Sequence, residues 1–284
     1  MNRKMNNTFL DEFIINAIHE DIGDGDHSTL SCIPITATGK AHLLIKQQGI
    51  LAGVEVAHRV FQIIDKDLKI NFLLKDGDTV KPGDIAFIIN GKTHSILKAE
   101  RLVLNILQRM SGISTTTNQY VQKIAGTKAK VLDTRKTTPG MRYLEKLAVK
   151  IGGGENHRMG LYDMIMLKDN HIDFAGGIES AITKTLEYLK TINKDLKIEV
   201  EARNIDEVKQ ILAVGGIHRI MLDNFTVKQT RDAVKRINGR FEIESSGGIT
   251  LDTIRNFAEC GVDFISVGAL THHIKSLDMS LKAI

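Results

Sequence analysis

The chain has 284 residues, of which 42% are hydrophobic and 25% are charged. This composition is typical of soluble globular proteins and excludes a disordered or fibrous chain. The formal net charge of +4 comes from 38 Lys and Arg against 34 Asp and Glu, with both signs interspersed along the chain. Because no Lys/Arg-rich run is interleaved with aromatic residues, we expect no nucleic-acid partner.

No segment predicts export or membrane insertion. Cys32 and Cys260 are far apart and lack the spacing of a metal site or a redox pair. The N-terminal segment has acidic residues among its apolar ones, and no apolar run approaches the roughly 18 residues of a membrane span. We therefore expect a cytoplasmic protein with reduced thiols and no membrane partner.

The N-terminal part predicts mixed α/β structure. Apolar residues recur at helical spacing over residues 9–18, and VEVAHRVFQII predicts a second amphipathic helix. AHLLI, KINFLL and IAFII are typical of strands, the last two joined by the turn DGDTVKPGD. We expect the helix HSILKAERLVLNILQRM to close this part, with a boundary near Gly112 where the pattern changes without a flexible linker.

Beyond Gly112, short apolar strands alternate strictly with helices. The predicted strands are KVLD, MIML, KIEVEA, RIMLD, FEIESS and FISVGA. The predicted helices are RYLEKLAVKIG, SAITKTLEYLKTI, DEVKQILAV, TRDAVKRI and LDTIRNFAEC. This alternation predicts a parallel sheet built from βα units.

Polar residues recur where these strands end. Glu201, Asp223, Ser245 and Val267 follow one another at intervals of 22 residues, and Lys168 closes the strand of the preceding unit. We expect them to occupy equivalent places at the carboxyl ends of their strands. The interval alone reflects only the length of a βα unit. Ionisable groups at strand ends nevertheless predict a site, because that edge of a βα barrel carries the ligand.

Glycine-containing turns end the last two predicted strands. The residues concerned are Ser246, Gly247, Gly248, Val267, Gly268 and Ala269. In a βα barrel, backbone N–H groups of the loops after the final two strands bind phosphate. A tight turn made by glycine is an equal alternative for either loop alone. The two loops together favour a phosphate site.

Cationic side chains crowd around glycines between residues 132 and 171. They lie in LDTRKTTPG, GGGENHRMG and MLKDNH, and they are Arg135, Lys136, His157, Arg158 and Lys168. These residues follow apolar runs and turns instead of lying on solvated helix faces, so they can converge on one ligand. The sequence therefore predicts a pocket for a small molecule with several negative charges.

These motifs, with EVE, LDN, ESSGG and SVGALTH, resemble those of the quinolinate phosphoribosyltransferase family. The resemblance covers nearly the whole chain, from EDIGDGDHST through ERLVLN and RMSGIST to the last predicted strand, with Arg203 as a small departure. It implies an α/β fold: an N-terminal α/β sandwich-like domain (residues 1–111) and an open-faced, incomplete α/β barrel of the type II phosphoribosyltransferase kind (112–270). Residues 271–284 are expected to pack back on the N-terminal domain.

The resemblance also implies a pentosyltransferase reaction of de novo NAD synthesis. Quinolinate and 5-phosphoribosyl 1-diphosphate would give nicotinate mononucleotide, pyrophosphate and carbon dioxide. Mg²⁺ would arrive with the diphosphate, since no His/Asp/Glu cluster has the sequence spacing of a tight protein metal site. The expected assembly is a homodimer paired head to tail, or a higher oligomer, with each active site shared between subunits.

Quinolinate is a dicarboxylate, and planar guanidinium groups bind carboxylates with two parallel hydrogen bonds. We therefore expect Arg135 and Arg158 to bind it, with His157 as a further donor. His157 and His171 have a structural alternative, bonding to loop backbone, and only His157 is assigned to the site. Arg101 resembles the family's arginine contributed across the dimer; from pattern alone it is equally an arginine at the edge of an apolar helix face.

Thr134, Lys136 and Lys168 are expected to meet phosphate oxygens and carboxylates. Glu201 and Asp223 would accept hydrogen bonds from ribose hydroxyls or hold Mg²⁺ through water, and charge balance is their alternative. Lys136, Lys168, Glu201 and Asp223 form the predicted catalytic set. We expect catalysis by positioning and electrostatics, without a covalent nucleophile.

Two other functions remain open from the sequence. A related phosphoribosyltransferase acting on nicotinate would keep the phosphate loops without a full dicarboxylate site. A non-catalytic barrel that binds phosphorylated metabolites would tolerate loss of a strand-end acid or of the lysine in DTRK, and neither is missing here.

Overall fold

The computed structural model describes residues 3–284, with side chains described from Thr8 onward. The helices are α1 Arg3–Ile22, α2 His27–Cys32, α3 Val54–Ile64, α4 Thr93–Lys123, α5 Arg142–Ile151, α6 Asp169–Ala175, α7 Ile178–Ile192, α8 Ile205–Val214, α9 Val227–Ile237, α10 Ile254–Ala258 and α11 Ala269–His272. The strands are β1 Thr38–Ile45, β2 Gly49–Ile50, β3 Lys69–Phe72, β4 Thr79–Val80, β5 Ile85–Lys92, β6 Lys130–Leu132, β7 Ile165–Leu167, β8 Ile198–Ala202, β9 Arg219–Asp223, β10 Glu242–Ser246, β11 Phe264–Ser266 and β12 Met279–Ala283. Among the helices so described, none combines the length and the apolar character needed to cross a membrane.

The first compact unit is built on a four-stranded antiparallel sheet. It comprises the described residues up to Thr116, with Pro139–Gly152 and Ile274–Ile284. The strand order is β12-β1-β5-β3, so the C-terminal strand β12 pairs with β1. Alternate residues of β1 are buried, as expected of a strand with one face on the core. Helix α3 contributes Phe61, whose ring lies edge-on to Phe87 of β5 with 5.7 Å between centroids.

Helix α4 is longer than the sequence pattern predicts. It continues through Gly112 to Lys123. A Cβ atom at Gly112 would collide with the backbone carbonyl of Lys275. The glycine therefore permits close approach of the C-terminal segment and does not end the helix.

The second compact unit is the predicted βα structure. It comprises Thr117–Thr138 and Gly153–His273 and contains a six-stranded sheet in the order β6-β11-β10-β9-β8-β7. Every adjacent pair is parallel. Within residues 3–284 no ladder joins β6 to β7, so the barrel is open, and the predicted incomplete α/β barrel is confirmed.

The strand register corrects one expectation. Glu201 lies opposite Met221, whereas Asp223 lies opposite Ser246. Glu201 and Asp223 therefore lie on the same face of the sheet. Along the strand direction, however, Glu201 lies two residues before the level of Asp223. Ser245 pairs with Leu222, which places it on the other face. The expectation that equal spacing gives equivalent places is wrong, because neighbouring strands of a barrel are staggered and a chain interval does not set that stagger.

Candidate active site

A cavity of about 790 Å³ lies at the carboxyl ends of the parallel strands, within the second unit. The predicted residues that line it are Thr134, Arg135, Lys136, His157, Arg158, Lys168, Glu201, Asp223, Ser246, Gly247, Gly248, Val267, Gly268 and Ala269. Arg101, the remaining predicted residue, is exposed on α4 in the first unit and is not part of the lining. The fold thus brings together two loops of cations and two loops of glycines that are far apart in sequence.

A buried aspartate joins the two cationic loops. Asp133 directly follows β6 and is fully buried. Its Oδ1 accepts a hydrogen bond from the His157 backbone N–H at 2.9 Å, and its Oδ2 accepts one from Asn156 Nδ2 at 2.6 Å. Since Arg135 follows Asp133 and Arg158 follows His157, this one carboxylate fixes both arginine-bearing segments relative to each other.

The two arginines lie close together. Burial, and after it the positive charge of Arg135, lowers the pKa of Arg158. Arg158 is 9% exposed and donates from Nη1 to the Met164 carbonyl at 3.2 Å. Arg135 Nε is buried, and within the described residues it has no hydrogen-bond partner. Two neighbouring guanidinium groups with an unpartnered buried donor suit an anionic ligand that bonds to both.

Lys136 connects the first cationic loop to α11, the short helix that follows β11. Its carbonyl accepts a hydrogen bond from Thr271 Oγ1 at 2.8 Å, and its N–H donates to Thr134 Oγ1 at 3.1 Å. A Cβ atom at Gly268 would lie 3.2 Å from Lys136 Cδ and 2.9 Å from His272 Nε2. Glycine at this position therefore leaves room for the lysine stem beside the loop.

On the opposite side, Lys168 directly precedes α6. Its backbone N–H donates to His171 Nδ1 at 3.1 Å. His171 is exposed and lies outside the cavity lining, so its ring supports the start of α6.

Two carboxylates face the cavity beside Lys168. Glu201 is 8% exposed. Burial and then repulsion from Asp223 raise the pKa of Glu201, while the charge of Lys168 acts in the opposite direction. Asp223 accepts a hydrogen bond from Asn224 Nδ2 at 2.7 Å. A pair of neighbouring carboxylates with a lysine beside them suits ligand hydroxyl groups, which donate hydrogen bonds.

The loop after β10 fits only around a glycine. Gly247 has φ +93°. A Cβ atom there would collide with the Asn224 side chain and lie 2.8 Å from the Asn224 nitrogen. Asn224 in turn donates its backbone N–H to the Ser246 carbonyl at 2.9 Å. The loops after β9 and β10 are thus in direct contact, and their backbone is accessible to a ligand in the cavity.

Beneath the cavity lies a buried ionic network formed by His157, Glu199, Arg219 and Glu244. His157 Nε2 lies 2.8 Å from Glu199 Oε2 and 3.4 Å from Glu244 Oε2. Arg219 Nη1 donates to Glu244 Oε2 at 2.9 Å. The Arg219 guanidinium also stacks on Phe264, with 3.9 Å to the ring centroid. The network carries both charge signs in a buried region, where each charge needs a partner.

The hydrogen bonds assign the protonation of His157. Nδ1 accepts from the Arg158 backbone N–H at 2.7 Å, so Nε2 carries a proton that faces Glu199. Both ring nitrogens therefore have partners within the protein. Burial acts to lower the pKa of His157, but Glu199 and Glu244 outweigh it and raise the pKa to about 9. Burial and then Glu244 raise the pKa of Glu199 to about 7.

The three acidic and imidazole groups of this network are close enough to hold a metal ion. Two observations favour an ionic network instead. His157 Nε2 is protonated and its N–H faces Glu199, so this nitrogen has no lone pair with which to bind a metal ion. Arg219 already supplies positive charge to Glu244 and lies 3.9 Å from Glu199 Oε1.

Sequence reasoning missed part of the lining. The missed residues are Met166, Met221, Asn224, Glu244, Ile249, Thr250, Ser266 and His272. Glu244 could have been predicted from the sequence. Charged residues alternate with apolar ones in KIEVEA and FEIESS, so they fall on one face of each strand. The two methionines carried none, since apolar residues in a buried strand look alike whichever face they occupy.

Comparisons with known proteins agree with this site. Residues 26–111 match the family model of the quinolinate phosphoribosyl transferase N-terminal domain, and residues 113–282 match that of its C-terminal domain. The chloroplastic nicotinate-nucleotide pyrophosphorylase (carboxylating) of Arabidopsis thaliana is 46% identical, over 94% of this chain and 80% of the relative. A probable nicotinate-nucleotide pyrophosphorylase (carboxylating) of Bacillus subtilis is 39% identical, over 98% of this chain and 94% of the relative.

The fold agrees as well. The crystal structure of NadC from Streptococcus pyogenes superposes with a TM-score of 0.91 at 39% identity, covering 97% of both chains. Both halves of the chain therefore match one family in sequence, and the whole chain matches it in structure. This chain belongs to the quinolinate phosphoribosyltransferase family, the decarboxylating pentosyltransferases of de novo NAD synthesis.

Proposed function

We propose that the cavity joins quinolinate to 5-phosphoribosyl 1-diphosphate and releases nicotinate mononucleotide, pyrophosphate and carbon dioxide. The observation that carries this proposal is the pair Arg135 and Arg158, held together around a buried Nε without a partner in the described chain. Two adjacent carboxylates on one ligand would satisfy both guanidinium groups. The volume of about 790 Å³ lies within the range of pockets for small-molecule substrates.

The carboxylates of quinolinate bind Arg135 and Arg158 in this proposal. His157 positions the Arg158 segment from the floor of the cavity, because its Nδ1 accepts the Arg158 backbone N–H and its Nε2–H faces Glu199. In this proposal a positioning role thus replaces the role first expected of His157, a direct hydrogen bond to quinolinate.

The sugar phosphate occupies the other half of the cavity. Backbone groups of Ser246–Gly248 and Val267–Ala269 receive the 5-phosphate, where glycine brings the main chain close to the ligand. Glu201 and Asp223 accept hydrogen bonds from the ribose hydroxyls. Thr134, Lys136 and Lys168 meet the diphosphate.

Catalysis follows because charged side chains lie where opposite charge develops on the substrate in the transition state. As the diphosphate leaves, positive charge grows on the ribosyl carbon and negative charge grows on the leaving group. Lys136 and Lys168 stabilise that leaving group, and Mg²⁺ bound to the diphosphate substrate would supply further positive charge there. Glu201 and Asp223 hold the sugar on the face that the pyridine nitrogen attacks.

Arg101 lies on α4 and does not line the cavity of its own chain. In a homodimer with shared active sites it could instead reach the cavity of the partner subunit. We propose that Arg101 of one protomer completes the cavity of its partner. The test is to mix Arg101→Ala with Lys168→Ala, each inactive alone. Random pairing gives hybrid dimers with one intact site, so activity should recover to about a quarter of the original value. No recovery after subunit exchange, verified by mass spectrometry, would contradict the shared site.

A reducing compartment suits the two thiols. Cys32 is exposed and Cys260 is buried, and both are free. An exposed free thiol persists where the surroundings keep it reduced, so we propose the cytoplasm as the location. Localisation of a fluorescently tagged chain in its source cells tests this, and an extracytoplasmic signal would contradict it.

The decisive assay separates three functions. Purified protein with Mg²⁺ and 5-phosphoribosyl 1-diphosphate is given quinolinate or nicotinate, and pyrophosphate and nucleotide are quantified. We expect pyrophosphate release with quinolinate only. Release with nicotinate would favour the related phosphoribosyltransferase, and no release with either acid would favour a non-catalytic binding protein.

A further inference from the structure

Two arginines can bind two adjacent carboxylates together only if their mutual position is fixed. Arg135 and Arg158 lie in different loops, and burial followed by the charge of Arg135 lowers the pKa of Arg158. The two guanidinium groups are thus close enough to repel each other. A pair that is already aligned binds more tightly, because less entropy is lost when both groups converge on one ligand. A structure that holds the two loops together before a ligand binds therefore favours a dicarboxylate.

The main chain joins the two loops beside β6, an end strand of the six-stranded sheet. Glu155 donates its N–H to the Val131 carbonyl at 2.8 Å, and the Glu155 carbonyl accepts the Asp133 N–H at 3.2 Å. Leu132 and Glu155 form a parallel bridge at this point. The bridge lies just before each arginine-bearing loop, so it brings the starts of the two loops together.

The Asp133 side chain continues this connection beyond the bridge. Its Oδ1 accepts the His157 backbone N–H at 2.9 Å, and its Oδ2 accepts Asn156 Nδ2 at 2.6 Å. The carboxylate is fully buried and does not line the cavity, so it acts on a ligand through the loops that it joins. The His157 ring holds the same segment from its other side, because Nδ1 accepts the Arg158 backbone N–H at 2.7 Å.

An amide cannot replace the Asp133 carboxylate in this arrangement. A carboxylate offers one acceptor oxygen to each of the two donors, whereas an asparagine side chain offers one oxygen and one NH₂ group. In Asp133→Asn, one of the two donors would therefore face another donor. The double variant Asp133→Asn, Asn156→Asp reverses the pair. Its amide nitrogen at position 133 can donate to the new carboxylate at position 156, while its amide oxygen still accepts the His157 N–H.

We propose that Asp133 is a positioning residue that makes the cavity selective for two adjacent carboxylates over one. By holding the segment of Arg158 against that of Arg135, it keeps the two guanidinium groups at a separation that one dicarboxylate spans. A ligand with a single carboxylate needs only one guanidinium group and gains little from this alignment. The inference rests on the proposed function, because it names what sets substrate selectivity at that same site.

Asp263 provides a matched control at the opposite end of the sheet. It directly precedes β11, and its carboxylate also joins two segments. Its Oδ1 accepts from Lys128 Nζ at 2.7 Å, and its Oδ2 accepts the Ile243 N–H at 2.9 Å. Asp263 is not part of the cavity lining. Asp263→Asn therefore makes the same chemical change to a carboxylate with one main-chain donor and one side-chain donor, away from the arginine pair.

The experiment compares quinolinate with nicotinate, which lacks the second carboxylate. Calorimetric titration of each folded variant gives the Kd of both acids, and initial rates give KM for quinolinate and for 5-phosphoribosyl 1-diphosphate. If nicotinate binds too weakly to be titrated, the comparison of the two KM values decides.

In Asp133→Asn, Kd and KM for quinolinate should rise at least about tenfold, because a charge-assisted hydrogen bond to its carboxylates is weakened. The Kd of nicotinate and KM for 5-phosphoribosyl 1-diphosphate should stay within about threefold of the wild-type values. Asp263→Asn should keep all four values within about threefold, since it is remote from the arginine pair. The double variant Asp133→Asn, Asn156→Asp should recover most of the lost affinity for quinolinate.

Unchanged affinity for quinolinate in folded Asp133→Asn would overturn the inference. An equal loss for quinolinate and 5-phosphoribosyl 1-diphosphate would also overturn it, since a purely structural role predicts that result, and so would a double variant without recovery. If Asp133→Asn does not fold, Asn156→Ala tests the same connection by removing one donor. It should raise KM for quinolinate alone by at least about threefold, and an unchanged KM would overturn the inference. A wild-type protein that releases no pyrophosphate from quinolinate would instead refute the proposed function.

Discussion

Arg135 is the residue on which recognition of a dicarboxylate most depends. Arg135→Ala removes a guanidinium group whose buried Nε has no hydrogen-bond partner among the described residues. Truncating one partner of a buried charge pair costs roughly 2–5 kcal/mol, so kcat/KM for quinolinate should fall about 30-fold or more. Initial rates at low quinolinate and saturating 5-phosphoribosyl 1-diphosphate measure this.

The control is Arg203→Ala. Arg203 lies outside the lining and pairs with Asp173 and Glu207. It should keep kcat/KM within about twofold, as surface pairs contribute little. An unchanged kcat/KM in Arg135→Ala would contradict the proposal that Arg135 binds a carboxylate of quinolinate.

Gly247 tests the contact between two cavity loops. Gly247→Ala adds a Cβ at φ +93° that collides with Asn224. Gly239→Ala is the control, because its φ is +73° but its Cβ would meet open space. Strain alone costs about 1 kcal/mol, so Gly239→Ala should lose that much unfolding free energy in urea. Gly247→Ala should lose more and should raise KM for 5-phosphoribosyl 1-diphosphate; equal losses with unchanged KM would contradict the loop contact.

Individual site residues differed in how far the sequence predicted them. Arg135 and Arg158 were predictable because cations beside glycines and after apolar strands converge on a ligand. Asn224 was not, since its importance arises from packing against Gly247, which follows the next strand. The partners of His157 were also hidden, because Glu199 and Glu244 belong to different strands and meet only when the sheet forms.

At the scale of elements, periodicity predicted type and order well. The six parallel strands and α3 were predicted because alternating or 3.6-residue patterns reflect which face is buried. Helix α4 exceeded its prediction, since Gly112 breaks the local pattern and helps packing. Strand register was not predictable, because it depends on the stagger between strands.

Gly112→Ala has two opposed effects on stability: it raises helix propensity, and it introduces a steric clash. In an exposed helix the change would stabilise by about 1 kcal/mol. Here the new Cβ would collide with the Lys275 carbonyl, so we expect a lower unfolding free energy in urea. Asn105→Ala is the control, because Asn105 is exposed in the same helix and should gain a few tenths of a kcal/mol. A gain in Gly112→Ala would show that this contact is absent.

At the scale of the whole molecule, the buried network should make stability depend on pH. The pKa of His157 is about 9 in the folded protein against 6.5 as its ordinary value. Its contribution, roughly 3 kcal/mol, is fully present below pH 6.5 and is lost as the pH rises through 9. The raised pKa of Glu199 acts in the same direction between about pH 4.5 and 7.

Urea unfolding at a series of pH values measures this dependence. The unfolding free energy should fall between pH 6.5 and 9 in the wild-type protein. His157→Asn should flatten that fall, whereas His27→Asn, which changes an exposed histidine, should keep it. A fall that persists unchanged in His157→Asn would contradict the assignment.

The whole architecture places one dicarboxylate and one activated sugar in a single cavity at the carboxyl ends of the sheet. Quinolinate labelled with ¹³C in its 2-carboxylate tests this most directly, incubated with the purified chain, Mg²⁺ and 5-phosphoribosyl 1-diphosphate. Labelled carbon dioxide and unlabelled nicotinate mononucleotide should form in equal amounts, and neither should form in an Arg135→Ala, Arg158→Ala double variant. Mononucleotide that retains the label, or full activity in the double variant, would contradict the account.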